Sequence, residues 1–175
     1  MSVLRKNTGN PGRINMDRAN RIIKHRLFQE HLEKNKAAEA DRRFCRHDMV
    51  HFLDVARIGR ILNLEEDYGI STELIYAAAL LHDIGKHKQY TDGIPHELAS
   101  AEIAPVILRE CGFSEAETEC VTEAIRCHRN AEIAGEKDLR GLLYRADKAG
   151  RACFACEAEQ ECNWKNEKKN LQIQY

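Results

Sequence analysis

The chain of 175 residues has little of what sheets, collagen or membranes require. Proline occurs three times, aromatic residues make up 6%, and valine and threonine together number ten. That scarcity excludes a collagen-like chain, a disordered tail and a β-sandwich. The longest apolar run, Leu74 to Leu81, is eight residues, far short of the roughly 20 that cross a bilayer. Met1-Ser-Val-Leu-Arg-Lys leads into no apolar stretch, so no secretory signal is visible and a cytoplasmic location without membrane partners is expected. Cysteine is present, but the count of seven is odd; reduced thiols or metal ligands fit better than a disulfide framework. What the sequence does have is alanine and leucine, 35 together. These lose little side-chain freedom in a helix, whereas β-branched residues fit strands. An all-α, single-domain helical bundle is expected, large enough to bury roughly 70% of the surface its unfolded chain exposes.

The net charge is −1 but unevenly spread: residues 1–47 hold twelve Lys/Arg against five Asp/Glu, and the remainder holds 15 against 23. A basic arm can attract phosphate or nucleic acid. Here the charges are interspersed, which suits a solvated helix face, and nucleic acid is not expected as a partner.

Along the chain, residues 1–15 contain Asn-Thr-Gly-Asn-Pro-Gly and read as a flexible arm. A helical core over 16–155 and a Cys/Lys/Asn-containing tail over 156–175, packed on the core or trailing it, complete the division. From Asp17, Ile22, Ile23, Leu27, Phe28 and Leu32 recur at helical spacing. A second helix is expected from about His47 to Leu64, and a third from Ser71-Thr72-Glu73 to Gly85, a residue type favoured just past a helix. Lys86 to Gly93 reads as a polar loop. Pro95 suits the first turn of a helix that Pro105 would kink and Gly112 would end. Ser114 and Glu117 form a capping box for the next helix, and a last one is expected from about Lys137 through Ala146. No internal repeat or low-complexity segment is visible.

His51 lies on the face that continues through Val55 and Ile58. His82 and Asp83 stand at the end of the most apolar helix, and Asp147 falls four residues past Leu143. Singly, each has an ordinary reading: a hydrogen-bonded core histidine, or an Asp paired with an Arg four residues on, here Arg151. Jointly, burying an imidazole and two carboxyl groups is costly without a compensating charge. A divalent ion supplies one, and His nitrogen with Asp oxygen suits Fe, Mn, Zn, Ni or Co rather than Ca. Neighbouring side chains diverge by about 100° on a helix, so His82 and Asp83 can share a centre only where the helix stops, at Ile84-Gly85.

His51 in His-Phe-Leu-Asp-Val-Ala-Arg, the doublet in Leu-Leu-His82-Asp83-Ile-Gly-Lys, and Asp147 in Arg-Ala-Asp-Lys-Ala-Gly-Arg together resemble the HD-domain metal-dependent phosphohydrolase superfamily, over roughly residues 44–151. The resemblance implies an HD-type helical fold in which His51, His82, Asp83 and Asp147 bind a divalent ion that activates water for attack on phosphorus. Lys86 is similar to the family lysine near the substrate phosphate, and Asp83 would also orient the water or take its proton. His96 and His128 extend the pattern, which is most similar to the bimetal branch that includes the YqeK-like dinucleoside polyphosphate hydrolases. By that analogy they would hold a second ion with Asp83 bridging; otherwise they are ordinary helix-end residues. The expected activity is hydrolysis of a phosphate ester or anhydride of a small phosphorylated metabolite, a nucleotide or dinucleotide, as phosphomonoesterase, phosphodiesterase or pyrophosphohydrolase. The alternative is a metal-binding regulatory module that senses nucleotide or RNA without turnover. A homodimer is left open.

His47, four residues before His51, is expected beside the ligands or at the exposed rim, and His25, His31 and His87 on the surface. If the helices of His51 and Asp147 converge antiparallel, Cys45 and Cys153 fall at the same end, each six residues from its ligand. Cys45, Cys153, Cys156 and Cys162 could then gather as a separate structural zinc site, or remain inert thiols. Cys111, Cys120 and Cys127 read as ordinary thiols.

Overall fold

The computed structural model describes residues 14–175, so the arm expected over 1–15 lies, but for its last two residues, outside the described residues. Among the described residues the regular elements are eight α-helices and three short 3-10 turns, with no strand. The helices are α1 (Asp17–Lys24), α2 (Arg26–Ala38), α3 (Met49–Glu65), α4 (Thr72–Leu81), α5 (Lys86–Thr91), α6 (His96–Glu110), α7 (Glu115–Cys127) and α8 (Leu139–Ala149). No described helix is long and apolar enough to cross a membrane.

The fold is arranged around α4. Ile75 and the unbroken run Ala77 to Leu81 are all buried, as expected of a helix that is apolar on every side. It packs against α1, α3, α7 and α8, while α6 lies on α7 and also covers α5. The aromatic pair Phe28–Phe52, edge to face at 6.5 Å, joins α2 to α3, and Phe52 in turn packs edge-on to the His82 ring at 5.7 Å.

Local chemistry sets the helix ends. Asp48 caps α3, accepting from the Val50 and His51 amides at 2.9 and 3.2 Å. Asp138 does the same for α8, and Ser114 with Glu117 forms the expected capping box of α7. The expected first helix is two. His25 is extended, and its ring nitrogen accepts from the Leu27 amide, so one side chain ends α1 and caps α2. The third helix stops at Leu81 rather than at Gly85. Gly85 is needed for a different reason: a Cβ there would stand 2.7 Å from the Ser100 amide nitrogen and 2.8 Å from the Ala99 carbonyl carbon of α6. The expected polar loop from Lys86 is instead helix α5, whose flank against α2 and α6 gives it the tertiary support its sequence lacks. Pro105 sits inside a single continuous α6. Gly112 ends that helix at φ +92°, a left-handed conformation that favours glycine.

Candidate metal centre

The buried turn after α4 presents His82 and Asp83 side by side. His51 arrives from the first turn of α3, His96 opens α6, His128 closes α7, and Asp147 comes from the last turn of α8. Four helices and one turn thus deliver six side chains to one point. Donor atoms of His51, His82, Asp83 and Asp147 lie within 4.8 Å of one another, and so do those of Asp83, His96 and His128. All are buried except His51, whose side chain is 10% exposed.

Asp83 belongs to both groups, and its two oxygens face opposite ways. Oδ2 lies 3.1 Å from His82 Nε2 and 3.6 Å from His51 Nε2. Oδ1 lies 3.0 Å from His96 Nε2 and 3.5 Å from His128 Nε2. On the first side, Asp147 Oδ1 stands 3.4 Å from His51 Nε2 and 3.7 Å from His82 Nε2. Despite these approaches, Asp83 Oδ1 and Asp147 Oδ1 are buried with no hydrogen-bond partner. The nitrogens and oxygens converge on shared points rather than on one another.

Backbone carbonyls determine which nitrogen is free. His82 Nδ1 faces the Ala79 carbonyl at 2.7 Å, and His128 Nδ1 faces the Ile125 carbonyl at 2.6 Å. A carbonyl can only accept, so in each ring Nδ1 carries the proton. The Nε2 lone pair of the neutral ring is then aimed into the cluster, as a metal-ligating histidine requires. His96 Nδ1 is likewise 2.5 Å from Gln89 Oε1. Without an ion, protons serve as the counter-charge. Burial disfavours a charged His82, but Asp83 and Asp147 outweigh it and raise the group to about 10. Burial would raise both carboxyls, yet the imidazoles around them, with Lys148 and Arg151 beside Asp147, hold both well below the ordinary range. Two unpartnered carboxylate oxygens facing four imidazole nitrogens suit a divalent transition metal.

The family model for the HD domain matches residues 49–159, which is well over half of the chain. The chain belongs to the HD domain family. An uncharacterised protein of Clostridium beijerinckii is 46% identical over 160 residues, covering 91% of this chain and all of that one. An uncharacterised protein of Methanocaldococcus jannaschii is 36% identical over 88 residues, 48% of each chain. Among solved structures, a predicted HD superfamily hydrolase from an uncultured Thermotogales bacterium is similar with a TM-score of 0.58 and 26% identity, over 80% of this chain and 79% of that one.

The HD domain match begins at Met49, and several groups around the centre come from before it. His47 is buried rather than at an exposed rim. Its Nδ1 meets Glu39 Oε1 at 2.5 Å and its Nε2 stands 3.8 Å from Asp83 Oδ2. Burial would raise Glu39, but His47 and the Tyr90 hydroxyl bonded to it bring it down to about 2. His31 and His87, expected on the surface, are buried and stacked, with ring nitrogens 2.7 Å apart. Asn35 then ties α2 to the doublet: it accepts from the His87 amide at 2.8 Å and donates to the Asp83 carbonyl at 3.0 Å. No spacing rule links Glu39 or Asn35 to the HD motifs, so only the fold reveals them.

Lys86 is buried at the start of α5, its Nζ 3.2 Å from His96 Nδ1. Desolvation lowers its pKa, and Asp83 opposes that. Lys148, in the Arg-Ala-Asp-Lys segment of the last HD motif, pairs with Asp147 Oδ2, and Arg151 lies 3.7 Å from the same oxygen. Lys148 was visible in sequence only as a neighbour of Asp147, with nothing to separate it from a solvated lysine.

Proposed function

We propose that this HD domain is a metal-dependent phosphohydrolase with two ions. His51, His82, Asp83 and Asp147 would hold one, and Asp83, His96 and His128 the other. The observation that carries the reading is Asp83, which turns one oxygen to each donor group and leaves Oδ1 without a hydrogen bond. Imidazole and carboxylate donors suit Fe, Mn, Zn, Ni or Co. When bound, such ions make water nucleophilic at neutral pH and neutralise phosphoryl oxygens. The chain's own residues do the rest. Lys86, desolvated beside His96, presents an ammonium to a phosphate group. Asp83, with one oxygen on each side, is placed to orient a water at the site or take its proton. Lys148 and Arg151 offset the charge of Asp147 and add positive field on the same side.

Two ions together with Lys86 would suit a phosphate group, and the substrate class proposed is an ester or anhydride of a small phosphorylated metabolite. Within it, a nucleotide or dinucleotide rests on the resemblance of the six-residue pattern to the bimetal branch.

Asp83→Ala is expected to abolish turnover of a panel of nucleoside monophosphates and dinucleoside polyphosphates and to lose both ions. The His96→Ala/His128→Ala variant is expected to lose one ion and keep the other, read as metal per chain on anaerobically purified protein. Full activity in Asp83→Ala ends the reading; unchanged metal in the double variant ends its second ion.

A further inference from the structure

Beyond α8 the chain has almost no core. After Ala146 the single buried apolar residue is Ala158, whereas Phe154, Leu171, Ile173 and Tyr175 are exposed. Its only regular structure is two three-residue 3-10 turns, Cys153–Ala155 and Asn166–Lys168. Burying one alanine offsets very little of the entropy lost by ordering some 25 residues. Small units with so little core are usually fastened by disulfides or metals.

The segment is nonetheless clasped onto the protein by polar contacts. The Asn170 amide donates to the carbonyls of Lys148 and Arg151 at 2.7 and 2.9 Å, and the Phe154 amide donates to the Asn170 carbonyl. The Arg151 guanidinium lies 3.8 Å over the Trp164 ring. Arg43 makes a bidentate pair with Glu161 at 2.8 and 3.0 Å, joining the segment to the loop that precedes α3. Arg42, Arg46, Glu157 and Ala158 line one cleft between them.

Four of the seven cysteines lie on these two apposed pieces. Cys153 and Cys156 flank a tight turn, with the Cys156 amide donating to the Cys153 carbonyl at 3.2 Å, and Cys162 ends the next turn, bonded to the Glu159 carbonyl. Cys45 is on the facing loop. Desolvation raises its thiol against the pull of Arg151, and the nearness of Cys153 and Cys156 pushes it the same way. Neither Cys45 nor Cys153 lies on the helix of its metal ligand, as helical register would have it; both stand in the irregular chain beyond the helix ends. The sulfurs are not gathered within 4.8 Å of one another. The side chains that must close on an ion are carried by turns and a loop, not by packed helices.

We propose that Cys45, Cys153, Cys156 and Cys162 bind one zinc ion that fastens the C-terminal segment to the loop before α3. Four thiolates about a divalent ion are the closed, tetrahedral arrangement of structural zinc. They leave a net charge of −2, and cations stand ready on both sides: Arg151 faces Cys45, and Lys169, held by Glu159, lies near Cys153 and Cys162. Cys111 and Cys127 end α6 and α7, and Cys120 is within α7, so none belongs to this group. Because this site uses none of the His/Asp donors, it stands whether or not the protein is a phosphohydrolase.

Cobalt loading tests the proposal on the full chain. Cobalt held by thiolates shows a sulfur-to-metal charge-transfer absorption that a His/Asp centre cannot give. Wild type is expected to show that band and to carry one zinc more per chain than Cys156→Ser/Cys162→Ser. The Cys120→Ser/Cys127→Ser control is expected to keep both signals. Trypsin should cut at Lys165, Lys168 and Lys169 much faster in the first variant. Absence of the band in cobalt-loaded wild type overturns the site even if the variant fails to fold. Equal zinc in the two proteins, or loss of iron and sulfide in place of zinc, overturns it as well.

Discussion

His31 shows how much a single buried ring can weigh. Its ring nitrogen meets that of His87 at 2.7 Å inside the protein, so one proton is shared where two would repel. Desolvation first, and the neighbouring His87 second, lower His31 from 6.5 to about 4. A base with a lowered folded value takes up its proton earlier in the unfolded chain. Its contribution is therefore fully present above pH 6.5 and is lost as pH falls towards 4. The displacement corresponds to a loss of order 3 kcal/mol. Urea unfolding of wild type is expected to show falling stability between pH 6.5 and 4. His31→Gln is expected to flatten that slope; an equally steep slope in the variant would assign the loss to other groups. Phe28 stands three residues before His31 and Ile84 three before His87, but neither ring belongs to a motif with fixed neighbours, so sequence placed both on the surface. His51, His82, His96 and His128 were readable because each adjoins an apolar stretch or a motif with fixed neighbours.

At the scale of the element, α5 is the instructive case. Lys-His-Lys-Gln-Tyr-Thr has no apolar periodicity, so read locally it is a loop. What makes it a helix lies elsewhere in the chain, and Asn35 is the clearest agent. Fully buried on α2, it accepts from the His87 amide of α5 and donates to the Asp83 carbonyl of the ligand turn. Two backbone groups that water cannot reach are satisfied by one side chain. The Asp83 carbonyl also accepts from the Lys86 amide at 3.0 Å, so Asn35→Ala orphans chiefly the His87 amide, and an unsatisfied buried group costs about 1–3 kcal/mol. The expected result is a loss within that range in chemical denaturation. Deuterium exchange at the amides of α5 should rise with it. Unchanged exchange there would mean that α6 alone holds the helix. Contrast α4, whose eight-residue apolar run is legible as a buried helix from composition alone. Its C-terminal stop was misplaced: α4 ends at Leu81, four residues before the expected Gly85, and that glycine is required by the approach of α6.

For the whole molecule, the cluster concentrates four imidazoles and two carboxylates at the junction of α3, the α4–α5 turn, α6, α7 and α8. Helices distant in sequence therefore share one electrostatic problem. The fold class was legible because helix formers and capping residues act locally. The buried His/Asp cluster was legible because its members carry local motifs. The apolar side of α1 and α2, Ile22, Phe28 and Leu32, was legible, but their polar bracing was not, because it rests on single long-range contacts such as Arg18 with Glu73 and Glu117. An ion in this centre joins five segments at once and binds only the folded chain. It must then stabilise the whole domain, by about 2.7 kcal/mol for each ion present at a hundredfold excess over its dissociation constant. For a domain of this size that is roughly 5–10 °C in Tm. Calorimetry is expected to show the shift on adding Mn or Zn to chelator-treated protein. Asp83→Ala should largely lack it, because that substitution removes a donor from both groups. The effect should also weaken in acid. His82, raised to about 10 by Asp83 and Asp147, is protonated at neutral pH in the metal-free protein, so metal uptake must expel protons, and acid favours their return. Proton release on metal addition, followed by pH-stat, measures this directly. No release at pH 7 would mean that the ions bind away from these histidines.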